Sequence, residues 1–175
     1  QGADHGRTVE QTRNKGQMDW NPTVWGAYVT TPGLDGEYID SFLAHAPIYN
    51  LRRQHFAAAQ EPLTFDPATH ALAIPEVFSV YEFARWLSLD VHARGKLMMA
   101  NAMFQGLPWG GDLFDFNGTE VNWYESGQFT PPSDEHLLYV RALSHQKPYG
   151  TLMNMNFNQL THARVETYFQ ISLFY

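Results

Sequence analysis

The chain has no cysteine among its 175 residues. That excludes disulfides, zinc–thiolate sites and thiol nucleophiles. It leaves the compartment open, secreted or periplasmic included. Positive charge is also scarce: 11 Lys and Arg stand against 18 Asp and Glu, for a net charge of -7. No basic stripe is available to neutralise phosphates, so nucleic acid is not an expected partner. No apolar run reaches the ~18 residues of a membrane span, so no membrane partner is expected either. The eight histidines form no H-x-H and no H-E-x-x-H, which speaks against a metal. A G-x-S-x-G elbow and a glycine-rich phosphate loop are missing too, and no cofactor is implied.

Aromatics, by contrast, are plentiful, with 5 Trp, 9 Tyr and 12 Phe. Such side chains bury well and also make stacking platforms for sugar rings. The chain is long enough for one domain with a real core. Residues 1–20 are polar and lack apolar periodicity, so they read as an arm or loop ahead of a domain over 21–175. A short helix is expected over Thr23–Tyr28. Residues 42–75, broken by Pro47, Pro62, Pro67 and Pro75, hold no long periodic run and read as a long insertion after a strand. Residues 102–111 and 124–132 read as loops.

Three longer helices are also expected. Val77, Val80, Tyr81, Ala84, Leu87 and Val91 recur at helical spacing and predict one ending at Ala93, before Gly95. Ser133-Asp134-Glu135 opens a second, to about Ser144, with Leu137, Leu138, Val140 and Ala142 as its apolar contacts. Thr161 caps a third, to Tyr175, with Val165, Phe169 and Leu173 on one face.

Four strands alternate with these helices, and each ends on a polar side chain. Leu34–Ser41 ends at Asp40, Lys96–Asn101 at an amide, Leu113–Glu120 at a second acid, and Tyr149–Asn156 at amides again. Alternation of this kind predicts an α/β fold with a parallel sheet and helical crossovers. Four strands are half of an eight-stranded barrel. A partial (β/α)8 barrel of about four parallel strands is therefore expected, either as a homo-oligomer or as part of a longer chain. In such a barrel the C-terminal strand tips carry the chemistry.

The segment Asp35-Gly36-Glu37-Tyr38-Ile39-Asp40-Ser41 resembles the Asp-Gly-aromatic-aliphatic-Asp-Ser strand of glycoside-hydrolase-like (β/α)8 barrels. Tyr81-Glu82-Phe83-Ala84 with His92-Ala93-Arg94-Gly95-Lys96, and Gly118-Thr119-Glu120-Val121-Asn122-Trp123, are similar to the same broad group of uncharacterised bacterial proteins. The likeness covers residues 33–175. It implies a retaining glycosidase with Asp40 as nucleophile and Glu120 as general acid/base. The chain departs from the pattern in supplying only half of the barrel's strands.

Glycoside hydrolysis needs two carboxyl groups flanking one bond. Asp40 and Glu120 are the candidates, with Asp115 a competitor for the second role. Asn101, Asn122, Asn154 and Asn156, at or near strand ends, can bind sugar hydroxyls as both donor and acceptor. Trp109 and Trp123 can stack on a sugar. Each has a plainer reading: capping for the acids and amides, packing for the tryptophans. The expected partner is a carbohydrate substrate. The alternative is a non-catalytic carbohydrate-binding or structural barrel fragment that associates with a partner subunit.

Overall fold

The longest helix, α2 (Glu76–Ala93), forms where apolar residues recur every three to four positions. It buries Phe83, Ala84, Leu87 and Val91, roughly 1.5–3 kcal/mol for each of the larger side chains. These pack with Tyr28, Ile39, Phe42, Met98, Ala100 and Phe114 into one core cluster. The computed structural model describes residues 27–42, 48–101 and 108–175. The polar arm over 1–20 and most of the helix expected at Thr23–Tyr28 lie outside them. A single turn, α1 (Ala27–Thr30), is what the described residues show there.

Four strands build the main sheet: β1 (Gly36–Ile39), β5 (Leu97–Asn101), β6 (Phe116–Asn122) and β9 (Tyr149–Asn154). They pair in that order and all in parallel. The fold is therefore mixed α/β around a four-stranded parallel sheet. Gly36 is required by close approach, because a Cβ there would run into the Leu97 carbonyl of the next strand. Alternation along the strands sets two faces. Ile39, Met98 and Ala100 enter the core beneath α2, while Tyr38 on the opposite face is 41% exposed.

The other two long helices are α3 (Asp134–Leu143) and α4 (His162–Phe174). Ser133 caps α3 by accepting the His136 N–H at 3.2 Å, and Thr161 caps α4 by accepting that of Arg164 at 3.4 Å. On α3 only Leu137 and Val140 are buried; Leu138 and Ala142 are exposed. The α4 stripe of Val165, Phe169 and Leu173 faces solvent. Tyr168 turns inward instead, and its hydroxyl donates to the Thr151 carbonyl at 2.7 Å. A shallow cavity between α3, α4 and β9 is lined by Leu137, Thr151 and Tyr168.

Two further sheets lie in segments expected to be irregular. Within residues 42–75, β2 (Tyr49–Asn50), β3 (Thr64–Phe65) and β4 (Leu72–Pro75) form a small antiparallel sheet in the order β2-β4-β3. Within 124–132, β7 (Tyr124–Glu125) and β8 (Gln128–Phe129) form a hairpin. Its two-residue turn has φ of 49° at Ser126 and 85° at Gly127, the signature of a type I′ turn.

The third main strand starts later than the sequence suggests. Leu113 belongs to a 3-10 helix over Pro108–Leu113. Phe114 is buried edge-on against Phe42, with centroids 4.9 Å apart. The strand then runs on to Asn122, so Glu120 lies two residues before its end.

Candidate active site

Each main strand delivers one polar side chain to the same end of the same sheet face. Asp40 follows β1 directly, and the chain then turns through Ser41 at φ 54°. The Phe42 N–H donates to the Asn101 carbonyl at 2.9 Å, which ties this turn to the neighbouring strand. Asn101 and Asn154 are the last residues of β5 and β9. Glu120 is on β6, two residues beyond Gly118, the register partner of Asn101. A side chain at Gly118 would crowd the Gly150 carbonyl at 3.3 Å and the Met99 side chain at 3.4 Å.

The four groups form one hydrogen-bonded chain. Asn101 Nδ2 donates to Asp40 Oδ1 at 2.9 Å and to Glu120 Oε1 at 3.4 Å. Asn154 Nδ2 donates to Glu120 Oε2 at 2.8 Å. Because two of these bonds share one nitrogen, the Asp40 and Glu120 oxygens they reach lie no more than about 6.3 Å apart. Asp40, Glu120 and Asn154 are exposed, whereas Asn101 is only 3% exposed. The Asn101 Oδ1 is buried without a partner. A buried orphan of this kind costs about 1–3 kcal/mol. The amide keeps this orientation because its NH2 faces two carboxylates.

Tyr38 joins the cluster from β1. Its hydroxyl donates to Asp40 Oδ1 at 3.0 Å. Partial burial, the Asp40 acceptor and the nearby Glu120 charge push this phenol up to about 12, so it remains a donor. The Asn101 bond, with help from Tyr38 and Ser41, holds the Asp40 carboxyl below the usual carboxylate range. At neutral pH Asp40 is an ionised carboxylate held by fixed donors. In the sequence Tyr38 reads as a strand former. Its spacing of two from Asp40 on a strand was the available signal, since residues i and i+2 share a face.

The remaining candidates separate. Asn122, at the end of β6, shares the Glu120 face by alternation and is exposed. Asn156 is a cap: its Oδ1 accepts the Asn158 N–H at 3.1 Å, starting the turn over Phe157–Gln159. Trp109 is 51% exposed, and among the described residues no hydrogen bond or ring contact ties it to the carboxylates. Trp123 is fully buried, edge-on to Tyr168 at 4.9 Å and tilted against Phe129 at 5.9 Å. Its ring packs against protein, so it offers no platform for a sugar.

Asp115 does not compete with Glu120. Its Oδ2 accepts the Met98 N–H at 2.7 Å and lies 2.7 Å from His92 Nε2. Ser88 Oγ, 3.3 Å from His92 Nδ1, completes a serine–histidine–aspartate line. Yet Ser88 is 4% exposed and donates its proton to the Leu113 carbonyl at 2.6 Å. This line clamps α2 to the β5–β6 connection and offers no accessible nucleophile. Among the described residues, no cluster of three or more His, Asp or Glu could hold a metal ion. No protein-family model, curated protein or solved structure matches this chain.

Proposed function

We propose that this chain is a glycoside hydrolase of the retaining type, acting on an oligo- or polysaccharide, and that its sheet is part of a (β/α)8 barrel. The observation that carries the reading is the placement of Asp40 and Glu120 at the C-terminal end of one parallel sheet, bridged by a single amide. The upper bound of about 6.3 Å between two of their oxygens lies below the ~6.5–9.5 Å inverting range and admits the ~5–5.5 Å separation of retaining enzymes. The winding supports the barrel. The strands follow one another in space as in sequence, without the reversal of a doubly wound sheet.

In this reading Glu120 protonates the glycosidic oxygen while the Asp40 carboxylate attacks the anomeric carbon. The leaving group departs with the proton, and the sugar becomes an ester of Asp40. Glu120 then takes a proton from water, whose oxygen displaces Asp40 and frees the sugar. Asn101 and Tyr38 position Asp40; Asn154 positions Glu120; Asn122 lies where a sugar hydroxyl would pass. Strands β1 and β9 each have one neighbour in this sheet. The rest of the barrel would come from a longer chain or a second copy.

One observation favours the second reading, a carbohydrate-binding module without turnover. Both Glu120 oxygens accept an amide N–H within the protein, an arrangement that serves a fixed hydrogen-bond acceptor for a sugar hydroxyl as well as it serves an acid. Kinetics on aryl glycosides decide between the two. Asp40→Asn should lower turnover ~10³-fold or more, and Glu120→Gln ~10²–10⁴-fold, with unchanged circular dichroism. Sugar binding without turnover in the unmutated chain would select the binding module.

A further inference from the structure

Among the described residues, the donors that bridge the two acids are used within the protein. Asn101 Nδ2 has two hydrogens, directed to Asp40 at 2.9 Å and Glu120 at 3.4 Å. Tyr38 gives its hydroxyl proton to Asp40 at 3.0 Å, and Asn154 gives one amide hydrogen to Glu120 at 2.8 Å. What faces outward at the two acids is mainly acceptor, the remaining carboxylate lone pairs and the Asn154 Oδ1, beside the Asn122 amide and the second Asn154 amide hydrogen as donors. Asn101, 3% exposed and aimed between the carboxylates, has its own Oδ1 unpartnered. That oxygen is buried and its amide hydrogens are spent, so Asn101 offers an arriving ligand no free donor.

Charge points the same way. Among the described residues, no lysine, arginine or histidine forms an ion pair with Asp40 or Glu120; the recorded pairs are His92–Asp115, Arg94–Asp90 and His162–Glu166. Among the described residues, an arriving carboxylate or sulfate would meet two acids and no cation paired with either. A hydroxyl or an ammonium would meet acceptors in need of a donor.

We propose that this face selects saccharides that are neutral or carry a protonated amine, and rejects uronic, sialic and sulfated sugars. The inference rests on the carbohydrate reading of the same face and adds the substrate's charge class to it. Like-charge repulsion and unmatched acceptors act together against the anion.

Calorimetric titration of the intact chain with glucosamine, glucose and glucuronic acid oligomers of equal length, near neutral pH and at low salt, tests it. The expected result is binding of the amino and neutral oligomers at least tenfold tighter than the uronic one. The gap should narrow in 1 M salt, where the Debye length falls to ~3 Å. Asp40→Asn removes an ionised carboxylate and should narrow it as well. Uronic oligomers binding as well as neutral ones would overturn the charge selection and leave the carbohydrate reading standing, as would a gap untouched by Asp40→Asn. No binding of any oligomer would overturn both.

Discussion

Asn101 Nδ2 and Asp40 Oδ1 lie 2.9 Å apart although 61 residues separate them in the chain. The bond is the first cause of the depressed Asp40 pKa. Asn101→Ala should therefore raise that pKa and move the acid limb of the activity profile to higher pH. The sign follows from linkage. A carboxylate depressed in the native state contributes stability above its unfolded pKa and loses it as pH falls through the lower native value. Without Asn101 much of that contribution is gone. An NMR titration of the Asp40 carboxyl carbon checks this; an unchanged midpoint in the variant would refute the assignment.

Glu37 works in the opposite sense. It alternates with Tyr38 toward the helix-covered face, and its Oε2 is buried without a partner. Burial raises its pKa above the usual 4.5. The native state then holds this proton more tightly than the unfolded chain. Stability from this group is full below the unfolded value and declines as pH rises through the raised native one. Glu37→Gln should remove that decline and stabilise the protein at neutral pH by on the order of 1 kcal/mol. Urea midpoints across pH 4–8 measure it, and a variant with the parent's pH slope would contradict the account.

The two loop tryptophans should behave differently on truncation. Trp123, enclosed by Tyr168 and Phe129, should lose ~3–5 kcal/mol on change to alanine. Trp109→Ala should change stability by no more than ~0.5 kcal/mol, as for other surface positions. Thermal melts separate them. A large loss at Trp109 would show that it packs against protein in the same way.

Much of the site's framework was legible. Asp40 after a Tyr-Ile strand, Asn101 ending the strand after Gly95, and Asn154 ending the last strand all follow from period-two alternation and turn residues. Other features lay below the reach of periodicity. Strands β2, β3, β7 and β8 have two residues each, too short to show alternation, although Ser126-Gly127 was a readable turn signal. Phe114 looked like a strand residue because it is apolar, but its burial comes from Phe42. Asn156 carried the same chemistry as Asn154, and only the geometry separates a cap from a site residue. The Val165, Phe169 and Leu173 stripe reads as a core face and is exposed, because pattern alone does not say which neighbour covers it.

The most direct test of the central claim is covalent trapping. An activated 2-deoxy-2-fluoro glycoside of a neutral sugar slows release of a glycosyl–enzyme ester more than its formation, so the ester accumulates in a retaining enzyme. Incubation followed by peptide mapping by mass spectrometry should show one sugar added, on the peptide containing Asp40, and none in Asp40→Asn. A sugar attached at another carboxylate, or glycoside turnover that persists in Asp40→Asn, would contradict the account.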